Sequence, residues 1–155
     1  MTDRDLLLKV ASATEGATEN PTNSNAGPYV ERVLKRTGLG KGLPWCAAWV
    51  ADVGVIALGD RWPLPKTASC AMLGEAAAKA GTLMEKPEVG DVFLLYYPSL
   101  GRFAHTGLVT AVNADGTIGT LEGNTNDGGS RDGWGVFRRT RRVGPRDRFI
   151  RWAAR

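Results

Sequence analysis

The spacing of apolar residues changes near Pro87, and that change restricts the fold more than any other feature of the sequence. Before it, the spacing is helical. Asp3 to Glu15 sets Leu6, Leu7, Val10 and Ala11 on one side, and Tyr29 to Thr37 forms a second short helix stopped by Gly38 and Gly40. Pro44 suits the first turn of a third helix that runs to about Leu58. Ser69 is placed as the N-cap of a fourth, Cys70 to Ala80, which Gly81 ends. After Pro87 the runs are β-prone: Val92–Tyr97, His105–Val112, Thr117–Glu122, Trp134–Thr140 and Arg148–Trp152. A hairpin-type turn, Asn113 to Gly116, joins the second run to the third. Helices first and a strand meander second predict an α+β fold, with N-terminal helices packed on an antiparallel sheet of five to six strands.

A chain of 155 residues fits one domain with one core, and no repeat or composition shift marks a boundary. The longest apolar stretch, Pro44 to Gly59, falls short of the ~20 residues of a membrane span and carries Asp52, so it reads as a buried helix and no membrane insertion is expected. The first residues are acidic, with only Leu6 to Leu8 as an apolar run, which does not read as a secretory signal. The net charge of +4 is unevenly spread: residues 131–155 hold nine Arg against two Asp. Such a stripe either attracts a polyanion or covers apolar surface with its arginine stems. No recognition helix or aromatic platform accompanies it, so no specific nucleic-acid partner is expected.

Two cysteines and one histidine bound the chemistry. They argue against a disulfide framework and cannot make a standard zinc site without carboxylates, so no metal or other cofactor is expected. Any Cys/His chemistry must use His105. The strongest local feature is Pro44-Trp45-Cys46-Ala47-Ala48-Trp49-Val50, which puts a thiol in the first turn of a buried helix behind Gly38, Gly40 and Gly42. Free N–H groups and the helix dipole there favour a thiolate, although a free cysteine is more often a small buried hydrophobe. His105 opens a strand after the loop Pro98–Ala104. In the next strand, Glu122 and Asn124 point the same way if the chain stays extended through Gly123, and Ile118 and Thr120 share that face. One of the two would hold the imidazole Nδ1–H and turn Nε2 to the thiol. A nucleophile on a helix, a base on a strand and an orienting group on its neighbour make a cysteine hydrolase the leading reading.

The ordered motifs Pro44-Trp-Cys-Ala-Ala-Trp-Val50, Gly90-Asp-Val-Phe93, His105-Thr-Gly-Leu-Val109 and Glu122-Gly-Asn-Thr125 resemble the CHAP family of cysteine, histidine-dependent amidohydrolases and peptidases. The resemblance covers about residues 19–152, and the family is related to papain-like and NlpC/P60 peptidases. It implies a papain-like fold, peptidoglycan as substrate, Cys46 as nucleophile, His105 as general base, Glu122 as third member and Asn124 in support. Many members carry Gln before the cysteine, where this chain has Trp45. The stretch Arg36–Pro44 has no Asp or Glu, so the calcium loop of some CHAP lysins is not expected. Trp45, Asn25 in the loop 19–27, and Trp134 among Gly128, Gly129, Gly133 and Gly135 are the candidate substrate contacts, while Cys70 reads as packing.

On this reading the protein is a monomeric amidase or endopeptidase, made without a signal peptide and acting on the cell wall after release. A small phage endolysin is the leading context. A secreted antibacterial effector, an NlpC/P60-type γ-D-glutamyl endopeptidase and a wall-binding module without turnover are the alternatives.

Overall fold

A computed structural model describes residues 1–125 and 133–154. Four helices precede a six-stranded sheet: α1 Asp3–Ser12, α2 Pro28–Lys35, α3 Cys46–Leu58 and α4 Cys70–Ala80, then β1 Leu83–Met84, β2 Val92–Tyr97, β3 Arg102–Val112, β4 Thr117–Thr125, β5 Gly135–Arg142 and β6 Arg148–Ile150. The sheet order is β1-β6-β2-β3-β4-β5, with every pairing antiparallel. This is the α+β arrangement that the change of period predicts, and it is consistent with a papain-like fold. Where local signals are strong, the bounds agree. Ser69 caps α4 by accepting from the Met72 N–H, and Gly81 ends it in the left-handed region at φ 72°. Two differences bear on the site. The strand holding His105 begins at Arg102, so His105 lies within β3 and not at its mouth. The next strand runs on to Thr125, but Asn124 has a φ of 55° and the pairing with β5 shifts register there. Extension therefore fails at the position where a shared direction for Glu122 and Asn124 was expected.

Helix α3 is apolar nearly all round, and every residue from Cys46 to Gly54 is buried. A helix of that kind belongs in the middle of a core. It packs against α1 and α2 on one side and β3 and β4 on the other. Asp52 is the one charge it buries, and Arg32 of α2 and Arg36 just beyond that helix meet it at 2.9 and 3.1 Å. The close approach of α3 to the sheet depends on Gly123, since a Cβ there would lie 2.7 Å from the Trp49 Cβ. Leu94, Leu108, Leu121 and Ile150 join the helices in the larger core, and Phe93, Val109, Ile118 and Phe149 form a smaller cluster.

The Gly90-Asp91 pair is a structural clasp. Asp91 is fully buried and pairs with Arg4 of α1 at 3.1 Å and Arg151 at 2.9 Å, while the Arg4 guanidinium also donates to the carbonyls of Val89 and Ala153. Most of the basic C-terminal stretch is likewise turned to internal use. Arg138 pairs with Glu15 at 2.9 Å, Arg146 lies 3.8 Å over the Tyr96 ring, and Arg141 pairs with Glu122. These contacts favour the reading of arginines as cover and ties over that of a free polyanion stripe. Arg131, Arg155, Gly128 and Gly129 lie outside the described residues.

Candidate active site

Cys46 is the first residue of α3, so its backbone N–H has no partner within the helix. Its neighbours fix the entry to that helix. The Trp45 indole donates to Glu19 at 3.0 Å and meets Tyr29 edge to face, and the Gly42 N–H donates to the Asn25 carbonyl at 2.8 Å. The thiol is 4% exposed and opens on a cleft of about 570 Å³ bordered by Leu43, Pro65, Lys66, Cys70, Met72 and Arg102. A hollow of about 410 Å³ beside Tyr96, Tyr97 and Asp147 does not reach the thiol.

His105 is fully buried on β3, and its Nε2 lies 2.7 Å from Glu122 Oε1 on β4. With Nε2 committed to the carboxylate, Nδ1 is the nitrogen left for the thiol; it has no hydrogen-bond partner among the described residues. The roles of the two nitrogens are thus the reverse of the expected ones. The cause is geometric: Glu122 sits at the end of the ring that carries Nε2. Glu122 is itself held by Arg141 of β5, at 2.5 Å from Nε to Oε2 and 2.6 Å from Nη2 to Oε1, and by the Thr120 hydroxyl at 2.6 Å. Room for this carboxylate comes from Gly107, where a Cβ would lie 2.9 Å from Glu122 Cγ and 2.7 Å from the Leu121 carbonyl.

These contacts set the charges. The Cys70 thiol, 3.7 Å from Cys46 Sγ, is the main influence holding the Cys46 pKa well below its usual value. Burial opposes that shift, and His105 reinforces it. Burial would depress the imidazole, but the Cys46 thiol and the Glu122 carboxylate outweigh it and hold His105 at about 9. Burial would likewise raise Glu122, yet Arg141 and His105 keep it at about 2. These shifts favour ionisation of the thiol together with protonation of the imidazole, with the carboxylate behind them held ionised. That pair combines a nucleophile with a proton donor for a leaving group.

The other candidate residues are placed differently. Asn124 is buried near the end of β4, and neither its amide nitrogen nor its oxygen has a partner among the described residues. It is Glu122, not Asn124, that touches the imidazole. Trp45 has no exposed surface, so it cannot contact a substrate; its large apolar ring is better satisfied in the core with its N–H on Glu19. Trp134 stacks edge to face on Phe137 at 4.7 Å, and neither it nor Asn25 borders the cleft at Cys46. Thr120, Arg141 and Cys70 are the participants that sequence reasoning passed over. The shared face of Ile118, Thr120 and Glu122 pointed to the first, but the others depend on register and helix crossing. Among the described residues, no group of three or more His, Cys, Asp or Glu is placed to hold a metal ion, and no helix is long and apolar enough to cross a membrane.

A family model described as CHAP domain matches residues 38–124, from the Gly-rich approach to Asn124. No curated protein matches the chain.

Proposed function

The chain belongs to the CHAP domain family, whose members are peptidoglycan-hydrolysing amidases and peptidases, and from that membership we propose that it cleaves an amide bond in the peptide part of the wall polymer, with Cys46 as nucleophile. The observation that carries the reading is the buried series Cys46, His105, Glu122, with its sulfur on the cleft. The thiolate attacks the scissile carbonyl carbon, and the oxyanion that forms accepts from the Cys46 N–H at the start of α3. The imidazolium gives its proton to the departing amine, whose C–N bond breaks to leave a thioester. Neutral His105 then takes a proton from water, hydroxide adds to the thioester, and the carboxylic acid leaves as the thiolate returns. Glu122 holds the ring by Nε2 throughout and stabilises its charge. An endolysin-like role as a monomer is the context we infer, with the NlpC/P60-type γ-D-glutamyl bond as the second candidate linkage.

The test is clearing of purified peptidoglycan by the wild type and by Cys46→Ala, with mass spectrometry of the released fragments. Clearing by the wild type alone supports the thiol mechanism, and the new termini name the bond. Equal clearing by both proteins sinks it.

A further inference from the structure

Cys70 has no part in the mechanism above, yet it is placed with care. It is the first residue of α4 as Cys46 is of α3, so two helix N-termini and their partial positive charge converge on one spot. Both thiols are nearly buried, at 4% and 5% exposure, and both border the same cleft. Their sulfurs are 3.7 Å apart, within reach of an S–H···S hydrogen bond. Simple packing of a small hydrophobe requires neither the pairing nor the position on the cleft floor.

We propose that Cys70 is a further catalytic residue of this site, whose S–H donates to the Cys46 sulfur, holds it as thiolate and keeps it aimed at the cleft. The proposal rests on Cys46 being the nucleophile. The chain's single histidine bears on the Cys46 sulfur and lowers its pKa further. A thiol beside a thiolate lowers the pKa of its neighbour, as in Cys-X-X-Cys motifs, and the loss of a stabilising donor returns the proton. Cys70 thus contributes to the fraction of enzyme that is ready to attack, while His105 also serves the leaving group.

The experiment is iodoacetamide alkylation of the intact protein across pH, with the modified cysteine identified by peptide mass. It needs no wall substrate, so its outcome is independent of which bond, if any, is cleaved. In Cys70→Ala the half-maximal pH for alkylating Cys46 should move up by about one unit, which is about tenfold slower reaction below both midpoints. Cys70→Ser, which keeps a donor, should recover part of the shift. A Cys70→Ala profile that superimposes on the wild type in a folded protein overturns the proposal. Should both variants fail to fold, ultraviolet titration of the wild-type thiols decides: two independent thiols at the ordinary cysteine value of roughly 8.5 also overturn it.

Discussion

Four hydrogen bonds meet at Glu122, from His105, Thr120 and both reaching nitrogens of Arg141, and all are 2.7 Å or shorter. A carboxylate so held stays ionised and carries that charge to the imidazole. Glu122→Gln keeps the shape and removes the charge, so the His105 pKa should fall from about 9 towards the usual histidine value of 6.5. The expected result is a loss of wall-cleaving kcat/KM on the order of 10²-fold or more, with the alkaline limb of its pH profile moved to lower pH. An unmoved limb would show that something other than Glu122 sets the imidazole. Stability follows the same groups. His105 is raised on folding, so its contribution is full below about 6.5 and lost as pH rises through about 9. Glu122 is lowered, so its contribution is present above 4.5 and lost as pH falls towards 2. The Cys46 thiol, lowered on folding, releases a proton over the same alkaline range and offsets the His105 change, so thermal midpoints should fall chiefly towards the acid end. Cys46 and His105 were legible in the sequence because a thiol at a helix start and a lone histidine stand out there. Arg141 was not: it is one arginine among nine in residues 131–155, and only strand register shows which one turns onto Glu122.

Two glycines set how the elements meet. Gly107 on β3 leaves space for Glu122, and Gly123 on β4 leaves space for Trp49 of α3. The two substitutions should separate function from fold. Gly107→Ala crowds the carboxylate and should cut activity strongly, at a stability cost of about 1–3 kcal/mol. Gly123→Ala pushes the nucleophile helix from the sheet and should lower stability at least as much, with activity falling in step. Thermal denaturation beside wall-clearing rates checks both, and equal behaviour of the two variants would contradict this division. At this scale the sequence was informative wherever caps were strong or β-prone residues ran together, as in α4 and β2. It was silent on β1, two residues that pair only because Ile150 and Phe149 lie beside them. It also misjudged the end of β4, where the turn at Asn124 depends on partners far along the chain.

Across the whole molecule, Arg4, Asp91 and Arg151 tie the first helix and the last strand to the start of β2. Asp91→Ala would leave two guanidinium groups without their buried partner, and breaking such a pair costs about 3–5 kcal/mol. Urea unfolding should report that loss, with an unaltered thiol alkylation profile in the folded protein. The sequence marked Gly90-Asp91 as a motif without showing its purpose, because the partners lie 87 residues before and 60 after Asp91. The contact between Cys46 and Cys70 spans the molecule in a different sense, since it joins α3 to α4 through two sulfurs 3.7 Å apart. A two-electron oxidant such as diamide would take two electrons and the Cys70 proton from the thiolate–thiol pair and a second proton from solvent, and the sulfurs would close to the ~2.05 Å of a disulfide. Wild-type activity should then vanish and return with dithiothreitol, whereas Cys70→Ser should show no such intramolecular bond by mass. The nucleophile would be stored as a covalent staple under oxidising conditions and released under reducing ones, so the same two helix ends that prepare the thiolate also make the enzyme answer to the redox state of its surroundings.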